Sequence, residues 1–343
     1  MSHLGQPFRL KSLELKNRIV MPPMCQYSVN AMDGIPNDWH YVHYVSRAIG
    51  GAGLIIMEMT DVEPDGRITN LDLGLWSDEQ IPAFRRIVDA VHAHGAKIGV
   101  QIAHAGRKAT DAAVPASCTD EPYSPDFRKP RMLTTEETWQ MIGKFADACR
   151  RAVEAGFDTI ELHGAHGYLI HQFQSPLINN KRKDEFGADL AKFGVEVVRA
   201  AKAVMPPDMP LIMRISAVEY AEGGYGLDHA IELCRAYRDA GVDMFDVSTG
   251  GESELPPERK PVTYPGFQLP YARAIKRALD VPVIAVGKLE DPNLAEHALA
   301  SGDADLIAVG RELLRNPYWP TQALRQLDGS VEVPVQYRRA YLK

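Results

Sequence analysis

The sequence of 343 residues is long enough for two average domains or for one large α/β barrel. Its formal net charge of −7, with 24% charged residues and no basic run, argues against a nucleic-acid partner. The N-terminal MSHLGQPFRLKSLELKN lacks the apolar core of a signal peptide, and no apolar run approaches the ~18 residues that span a bilayer, so we expect a cytoplasmic protein. The four cysteines form no C-x-x-C pair, which argues against a disulfide framework, a zinc knuckle or an iron–sulfur cluster.

Eight short apolar runs, rich in Val and Ile, follow one another along the chain. They are IVMPPM from residue 19, LIIMEM from 54, KIGVQIAH from 97, DTIELHG from 158, PLIMRIS from 210, DMFDVSTG from 243, PVIAVGK from 282 and DLIAVGR from 305. Longer stretches with helical spacing separate them, as in 78–95 and 134–156. Several of these stretches end in a glycine that we expect to cap a helix, in HGAK, AGFD, AGVD and SGDAD.

Eight strands that alternate with helices indicate a parallel sheet, and eight units in one chain favour a closed (β/α)₈ TIM barrel over an open doubly wound sheet. No Gly/Ser linker or repeat marks a boundary, so we predict a single domain over residues 1–343. The Pro-rich stretch 254–266 is interpreted as a long loop after the sixth strand, because a helix and two more strands follow it.

Polar residues gather at the predicted carboxyl ends of the strands, where the catalytic groups of such barrels lie. Strand one ends in PPMCQY, strand three carries Gln101, strand four ends in HGAHGY and strand six in STGG. Arg214 stands in the middle of apolar strand five. A buried guanidinium needs a partner, because an uncompensated buried charge costs several kcal/mol. Either an acid inside the barrel, such as Glu161, or an anionic ligand could be that partner.

Strands seven and eight end in Gly287-Lys288 and Gly310-Arg311. The loops after these two strands are the frequent phosphate site of this fold. Lys288 alone is more simply interpreted as solvated, but the two pairs together indicate a phosphorylated ligand. An aromatic cofactor with a phosphate tail would also explain Arg214 and Gln101, which would face a ring that becomes anionic on reduction, and flavin mononucleotide (FMN) fits this description. A phosphosugar would leave the apolar PPMC and Met59 unexplained.

The segments PPMCQY, GRITNLDLGLWSDEQ, QIAHAGRK, HGAHGYLIHQFQSP and VGRELLRNP resemble the bacterial thermophilic-like branch of the Old Yellow Enzyme family. The resemblance runs from about Phe8 to the C-terminal VPVQYRRAY. Members of this family are FMN-dependent ene reductases, which take hydride from NADPH or NADH and pass it to an activated alkene. The resemblance therefore implies bound FMN, a nicotinamide hydride donor and a small electrophilic alkene as the substrate.

The resemblance also implies a role for individual residues. The cofactor-binding set that we predict is Pro22, Pro23, Met24, Cys25, Met59, Gln101, Arg214, Gly287, Gly310 and Arg311. His163 and His166 would bind the electron-withdrawing oxygen of the substrate, Tyr168 would donate a proton, and Tyr27 would help to position the substrate. The chemistry agrees with these roles, since two imidazole donors stabilise enolate-like charge and a tyrosine can supply the proton of the α-carbon.

The C-terminal tail, about 331–343, has a role by resemblance alone. In this branch the tail crosses to a neighbouring subunit, so we expect Arg339 to reach a substrate there and the protein to be a homodimer or homotetramer. The chain differs from the family pattern at three places. Met59 replaces a small residue, FGADLAKF (186–193) replaces GGS-x-x-N-R-x-R-F, and Ala340-Tyr341 replaces the Gly-Trp that follows the arginine.

A metal-dependent barrel hydrolase is the alternative from another class. It would use His163, His166 and Glu161, since Glu161 shares a strand face with His163. This alternative leaves Arg214 and the two glycine–basic pairs unexplained, and we expect no metal. A protein that stores flavin without turnover would lack part of the histidine and tyrosine set, which is complete here.

Overall fold

The computed structural model describes residues 1–341, and eight of its strands form a closed parallel barrel. The barrel strands are β1 (Ile19–Met21), β2 (Leu54–Asp61), β3 (Lys97–Ala103), β4 (Thr159–Gly164), β5 (Leu211–Ser216), β6 (Met244–Ser248), β7 (Val283–Ala285) and β8 (Leu306–Ala308). They follow one another around the barrel in chain order, and β8 closes it by pairing with β1. The predicted TIM barrel and all eight predicted strands are thus confirmed.

Helices surround the barrel. They are α1 (Asp38–Ile49), α2 (Ile81–Ala93), α3 (Thr135–Ala155), α4 (Leu169–Gln174), α5 (Glu185–Ala188), α6 (Lys192–Val204), α7 (Leu227–Ala240), α8 (Leu269–Leu279), α9 (Pro292–Ala300), α10 (Arg311–Arg315), α11 (Trp319–Asp328) and α12 (Arg338–Tyr341). No helix within residues 1–341 is both long enough and apolar enough to cross a bilayer.

The helix boundaries follow from capping residues. Thr134 begins α3 with a capping box, in which its side chain accepts from the backbone of Glu137 and the Glu137 side chain accepts in return. Gly156 ends the same helix in a left-handed conformation, with φ of 94°. The other three glycines predicted to cap helices, Gly95, Gly241 and Gly302, also have positive φ. The stretch 254–266 is a loop with one short 3₁₀ turn, as predicted.

An N-terminal hairpin closes the bottom of the barrel. Its strands, Phe8–Leu10 and Leu13–Leu15, pair antiparallel. Leu13 and Leu15 are buried with barrel residues of β1, β2, β5, β6, β7 and β8 in one apolar cluster. The sequence analysis did not predict this hairpin, although the alternation LEL gives a short signal for it. Because the amino-terminal end is filled, the barrel opens at its carboxyl-terminal face.

Candidate active site

A cavity of about 290 Å³ opens at the carboxyl-terminal face. Seven of the ten predicted cofactor-binding residues line it, namely Pro22, Pro23, Met24, Arg214, Gly287, Gly310 and Arg311. The loop after β1 provides the apolar wall, β5 provides the cation, and the loops after β7 and β8 provide the glycines. Residues that are up to 289 positions apart in the sequence thus meet at one place, as the ends of parallel barrel strands do.

Arg214 has an acid partner and also reaches the cavity. Its Nε lies 3.2 Å from Oδ2 of Asp246 on the neighbouring strand. No described residue forms a hydrogen bond with either terminal nitrogen of Arg214, whereas the residue lines the cavity. The interpretation as an ion pair inside the barrel is confirmed, although the acid is Asp246 and not Glu161. An anionic ligand at the terminal nitrogens stays a prediction. Glu161 instead accepts a hydrogen bond from Nε2 of Gln101, at 2.7 Å.

The far end of the cavity has free backbone donors. Gly287, Lys288 and Gly310 lie in the loops after β7 and β8, and none of their N–H groups donates to another group within residues 1–341. Gly310 is followed at once by α10. The Lys288 side chain is half-buried and donates to the backbone oxygen of Thr263 at 2.9 Å, so it is not freely solvated. This end can accept a phosphate group.

His163, His166 and Tyr168 come together directly after β4. The ring centroids of the two histidines are 5.1 Å apart and their planes are nearly perpendicular, at 89°. The ring of Tyr168 lies 4.9 Å from that of His163. The predicted substrate-binding and proton-donating side chains therefore form one contiguous group.

The backbone of this segment is held in an unusual conformation. His166 has φ of 59°, which is uncommon for a residue with a side chain and is typical of functional sites. Gly251 packs against it so closely that a Cβ atom there would lie 2.4 Å from the Cα of His166. The Nζ of Lys108 donates to the backbone oxygen of His166 at 2.8 Å and also to that of Gly251. The loops after β3 and β6 thereby fix the position of His166, in the loop after β4.

Both histidines are neutral. Burial, followed by the nearby charge of Arg214, holds the pKa of His163 and of His166 well below the usual range. The Nδ1 of His163 accepts from the Ala165 N–H at 3.3 Å, so its proton resides on Nε2. The Nε2 of His166 lies 2.8 Å from Oγ of Ser248, which leaves its Nδ1 for another partner.

Cys25, Tyr27 and Met59 lie next to the group of histidines and Tyr168 and do not line the cavity. Met59 packs in a cluster with Cys25 and Tyr168 and is almost fully buried. Burial and the acids Asp72, Glu58 and Asp61 raise the pKa of the Cys25 thiol well above its ordinary value. The pKa of Tyr27 is raised by burial and by Cys25, and both groups are protonated at neutral pH.

A β-bulge at Glu58 supports the loop that carries Cys25. The pairing of β2 with β3 shifts between Met57 and Met59. The displaced Glu58 carboxylate accepts the backbone N–H of Gln26 at 2.5 Å and the hydroxyl of Tyr44 at 2.9 Å. Its pKa is raised to about 8, chiefly by burial.

Arg339 does not lie in the site of its own chain. It stands on the exposed helix α12, in which the Tyr341 ring lies 5.3 Å from the guanidinium of Arg325 on α11. Just before α12, the hydroxyl of Tyr337 lies 3.3 Å from that of Tyr318. In the part of the chain that the structure describes, no hydrogen bond or ion pair joins Arg339 to the other predicted site residues. Residues 342 and 343 of the predicted tail lie outside the described residues.

Several site residues were missed by the sequence analysis. Ser248 and Gln268 line the cavity, and Nε2 of Gln268 donates to Oγ of Ser248 at 3.2 Å. Ser248 was named within STGG at the end of strand six, but it was not assigned a role. Lys108 and Asp246 could not be assigned a partner from their positions in the sequence, because their partners lie on other loops and strands.

The hydrolase alternative is not supported. Within the described ranges, the one group of three acidic or metal-ligating side chains with close ligand atoms is His171, Glu219 and Glu252, not His163, His166 and Glu161. Nδ1 of His171 accepts the Gly167 N–H at 2.9 Å, and its Nε2 lies 3.1 Å from Glu219. Both nitrogens are thus engaged, Nδ1 with the segment after β4 and Nε2 with the loop after β5.

Free backbone donors after the last two barrel strands, with a buried cation and two histidines at the same face, match the arrangement of TIM-barrel enzymes, whose active sites lie at the carboxyl-terminal face and often include a phosphate site there. The model of the NADH:flavin oxidoreductase / NADH oxidase family matches residues 3–329. The chain belongs to this family, which is the Old Yellow Enzyme family, and is an oxidoreductase. The resemblance inferred from the sequence is confirmed.

Relatives agree with this assignment. A NADPH dehydrogenase of Listeria innocua is 47% identical over 344 residues, which are 99% of this chain and 100% of the relative. A NADPH dehydrogenase of Geobacillus thermodenitrificans is 43% identical over 98% of both chains. Among solved structures, morphinone reductase superposes with a TM-score of 0.81 at 26% identity, over 97% of this chain and 91% of that chain. A 2-naphthoyl-CoA reductase superposes with a TM-score of 0.88, but the match covers 95% of this chain and about half, 52%, of that one.

Proposed function

We propose that the protein is an FMN-dependent NADPH oxidoreductase that reduces the C=C bond of α,β-unsaturated carbonyl or nitro compounds. The observation that carries the proposal is the group of His163, His166 and Tyr168 beside the cavity, where two neutral imidazoles and a phenol share one small volume. A polarised alkene needs hydrogen-bond donors on its oxygen and an acid near its α-carbon, and this group offers both.

The cavity fits FMN. The free N–H groups of Gly287, Lys288 and Gly310, with the Arg311 side chain, would hold the phosphate. The terminal nitrogens of Arg214 would face the pyrimidine side of the ring. Pro22 and Met24 would supply apolar contacts. Bound FMN supplies the capacity to accept a hydride from a nicotinamide and to pass it to the alkene.

The two histidines would orient and polarise the substrate. With its proton on Nε2, His163 can donate one hydrogen bond to a carbonyl or nitro oxygen. When the Ser248 hydroxyl donates to Nε2 of His166, Nδ1 of His166 carries a proton and can donate the second. The depressed pKa of both rings keeps them as neutral donors that do not give up a proton to the substrate oxygen.

Tyr168 would complete the reaction with a proton. Burial, together with Cys25 and neighbouring acids, raises the pKa of Tyr168 well above its ordinary value, so the phenol retains its proton until a strongly basic carbon needs it. Tyr27, which is 44% exposed, stands at the entrance and would position the substrate.

NADPH is the proposed hydride donor, since the Listeria and Geobacillus relatives are NADPH dehydrogenases. A homodimer or homotetramer is also part of the proposal. Arg339 is exposed at the end of its own chain, which supports a role at the site of a neighbouring subunit, where its permanently charged planar group could contact a substrate oxygen.

A steady-state experiment tests the proposal. The purified chain reconstituted with FMN is expected to consume NADPH in the presence of 2-cyclohexenone and to form one cyclohexanone per NADPH consumed. Tyr168→Phe keeps the ring and removes the acid, so it is the matched control and is expected to turn over more slowly. NADPH consumption without any saturated product would contradict the alkene substrate while leaving the flavin oxidoreductase assignment in place.

A further inference from the structure

Four polar side chains form a layer beneath the cavity, inside the barrel. Gln101, Glu161, Arg214 and Asp246 project inward from β3, β4, β5 and β6. Gln101 pairs in register with Glu161, and Arg214 pairs with Asp246. The carboxyl groups of Glu161 and Asp246 are fully buried and within hydrogen-bond reach of each other. The mechanism proposed above uses Arg214 and leaves the two acids without a role.

This layer has more acceptors than donors when both acids are ionised. Oε2 of Glu161 and both carboxylate oxygens of Asp246 then lack a hydrogen-bond partner. The layer would also carry two negative charges against the single positive charge of Arg214. Buried polar atoms without partners and buried charges in excess are both strongly unfavourable.

One additional proton resolves both problems. If Glu161 is a neutral acid, its Oε2–H can donate to Asp246, while its Oε1 still accepts from Gln101 at 2.7 Å. Asp246 then keeps the single negative charge that balances Arg214, 3.2 Å away. Burial, and after it the charge of Asp246, raises the pKa of Glu161 well above its ordinary value, in agreement with this arrangement.

We propose that Glu161 and Asp246 hold one proton between them and act as positioning residues for the pyrimidine side of the cofactor. Glu161 fixes the amide of Gln101 with its nitrogen turned toward the acid, so that the amide oxygen is free to accept a hydrogen bond. Asp246 holds the guanidinium of Arg214. Because the layer is neutral overall, it does not repel a ring that gains electrons. The inference rests on the proposed function only in naming FMN as the group that the layer faces.

Glu161→Gln is the sharpest test, because glutamine reproduces the neutral acid. Its oxygen can accept from Gln101 and its nitrogen can donate to Asp246. We expect the holoenzyme with this substitution to bind FMN within twofold of the unsubstituted Kd and to show the same midpoint potential. The double variant Glu161→Gln/Asp246→Asn differs from it by one charge, leaves Arg214 uncompensated, and is expected to shift the potential upward.

The infrared spectrum locates the proton directly. In the difference spectrum of the unsubstituted protein minus Glu161→Gln, one carbonyl band of a protonated carboxylic acid, which shifts in D₂O, is expected; the bands of other buried acids such as Glu58 cancel. Glu161→Leu removes the hydrogen bonds of Glu161 with Gln101 and with Asp246, and it is expected to raise the FMN Kd at least tenfold. Glu161→Gln keeps both hydrogen bonds and is expected to bind FMN tightly.

Three outcomes would overturn the inference. The first is an upward shift of the potential in Glu161→Gln as large as that in the double variant. The second is a difference spectrum in which Glu161→Gln loses no acid carbonyl band. The third is an unchanged Kd in a folded Glu161→Leu. A chain that binds no FMN in any form would instead overturn the proposed function, and the infrared comparison of the cofactor-free protein would still decide where the proton is.

Discussion

Arg214 and Asp246 face each other from neighbouring barrel strands, with 3.2 Å between Nε and Oδ2 and with both side chains at least nine-tenths buried. Asp246 compensates the positive charge of Arg214 at Nε. The two terminal nitrogens of Arg214 remain available to a ligand in the cavity. We therefore expect Arg214 to contribute both to the stability of the barrel and to the affinity of the site for the proposed flavin.

The first prediction concerns Arg214→Ala. The substitution leaves Asp246 buried without a cation, which typically costs about 3–5 kcal/mol of unfolding free energy. We also expect weaker FMN retention and a lower midpoint potential, because the positive charge beside the ring is lost. Flavin titration, redox titration and thermal unfolding measure these effects, and Arg214→Lys is the matched control that keeps a charge. Unchanged affinity and potential in Arg214→Ala would show that the guanidinium does not face the flavin.

The second prediction concerns Cys25. Its raised pKa keeps the thiol protonated at neutral pH, so it is a poor nucleophile, and its position beside Met59 and Tyr168 places it next to the site. Cys25→Ser and Cys25→Ala are expected to shift the midpoint potential and to retain turnover. An inactive variant that still holds reducible FMN would contradict this role.

Histidines on α1 give a prediction for the pH dependence of stability. Burial is the main cause that lowers the pKa of His43 to about 3 and that of His40 to about 4. An unfolded histidine binds a proton below about pH 6.5, whereas these buried rings do not, so stability falls as the pH drops from about 6.5 toward 4. At pH 5, His43 alone accounts for a loss of about 2 kcal/mol.

His43→Gln is expected to reduce the loss of unfolding free energy that accompanies acidification. His94→Gln, at an exposed histidine, is the matched control. Urea unfolding at pH 7 and at pH 5 measures the difference. If the unsubstituted protein and His43→Gln lose the same unfolding free energy between pH 7 and pH 5, His43 does not cause the pH dependence.

A fourth prediction concerns the C-terminal tail. If Arg339 completes the site of a neighbour, truncation before Gln336 raises KM for the alkene or for NADPH while FMN stays bound. Arg339→Ala is expected to act in the same direction, whereas Arg338→Ala, on the same exposed helix, serves as the control. Mixing the truncated chain with a His163→Ala chain is expected to restore part of the activity when subunits exchange. A monomer in sedimentation, or unchanged kinetics after truncation, would exclude this role.

The barrel was predictable because its eight strands are short Val- and Ile-rich runs with glycine-capped helices between them, and such patterns are local. The cavity residues at strand ends, such as Arg214 and Gly310, were predictable for the same reason, since the carboxyl ends of parallel strands meet.

Contacts between distant loops could not be predicted. The N-terminal hairpin fills the barrel through tertiary packing of Leu13 and Leu15, and the three-residue alternation LEL is too short a signal to distinguish it from a loop. Lys108 reaches the backbone of His166 across 58 residues of sequence, and no local pattern specifies that distance. Asp246 was visible as a polar residue in an apolar strand, but its two partners become evident only when the strands are assembled.

The most direct test of the central claim is anaerobic stopped-flow spectroscopy of the two half-reactions, with flavin absorbance as the signal. In the unsubstituted holoenzyme, NADPH is expected to bleach the flavin and 2-cyclohexenone to restore its colour. His163→Ala is expected to slow the reoxidation by 2-cyclohexenone about 10²–10³-fold, the usual cost of losing one donor to a developing oxyanion, and to slow the reduction by NADPH far less. Equal slowing of both half-reactions, or a reduced flavin that no activated alkene reoxidises, would contradict the account.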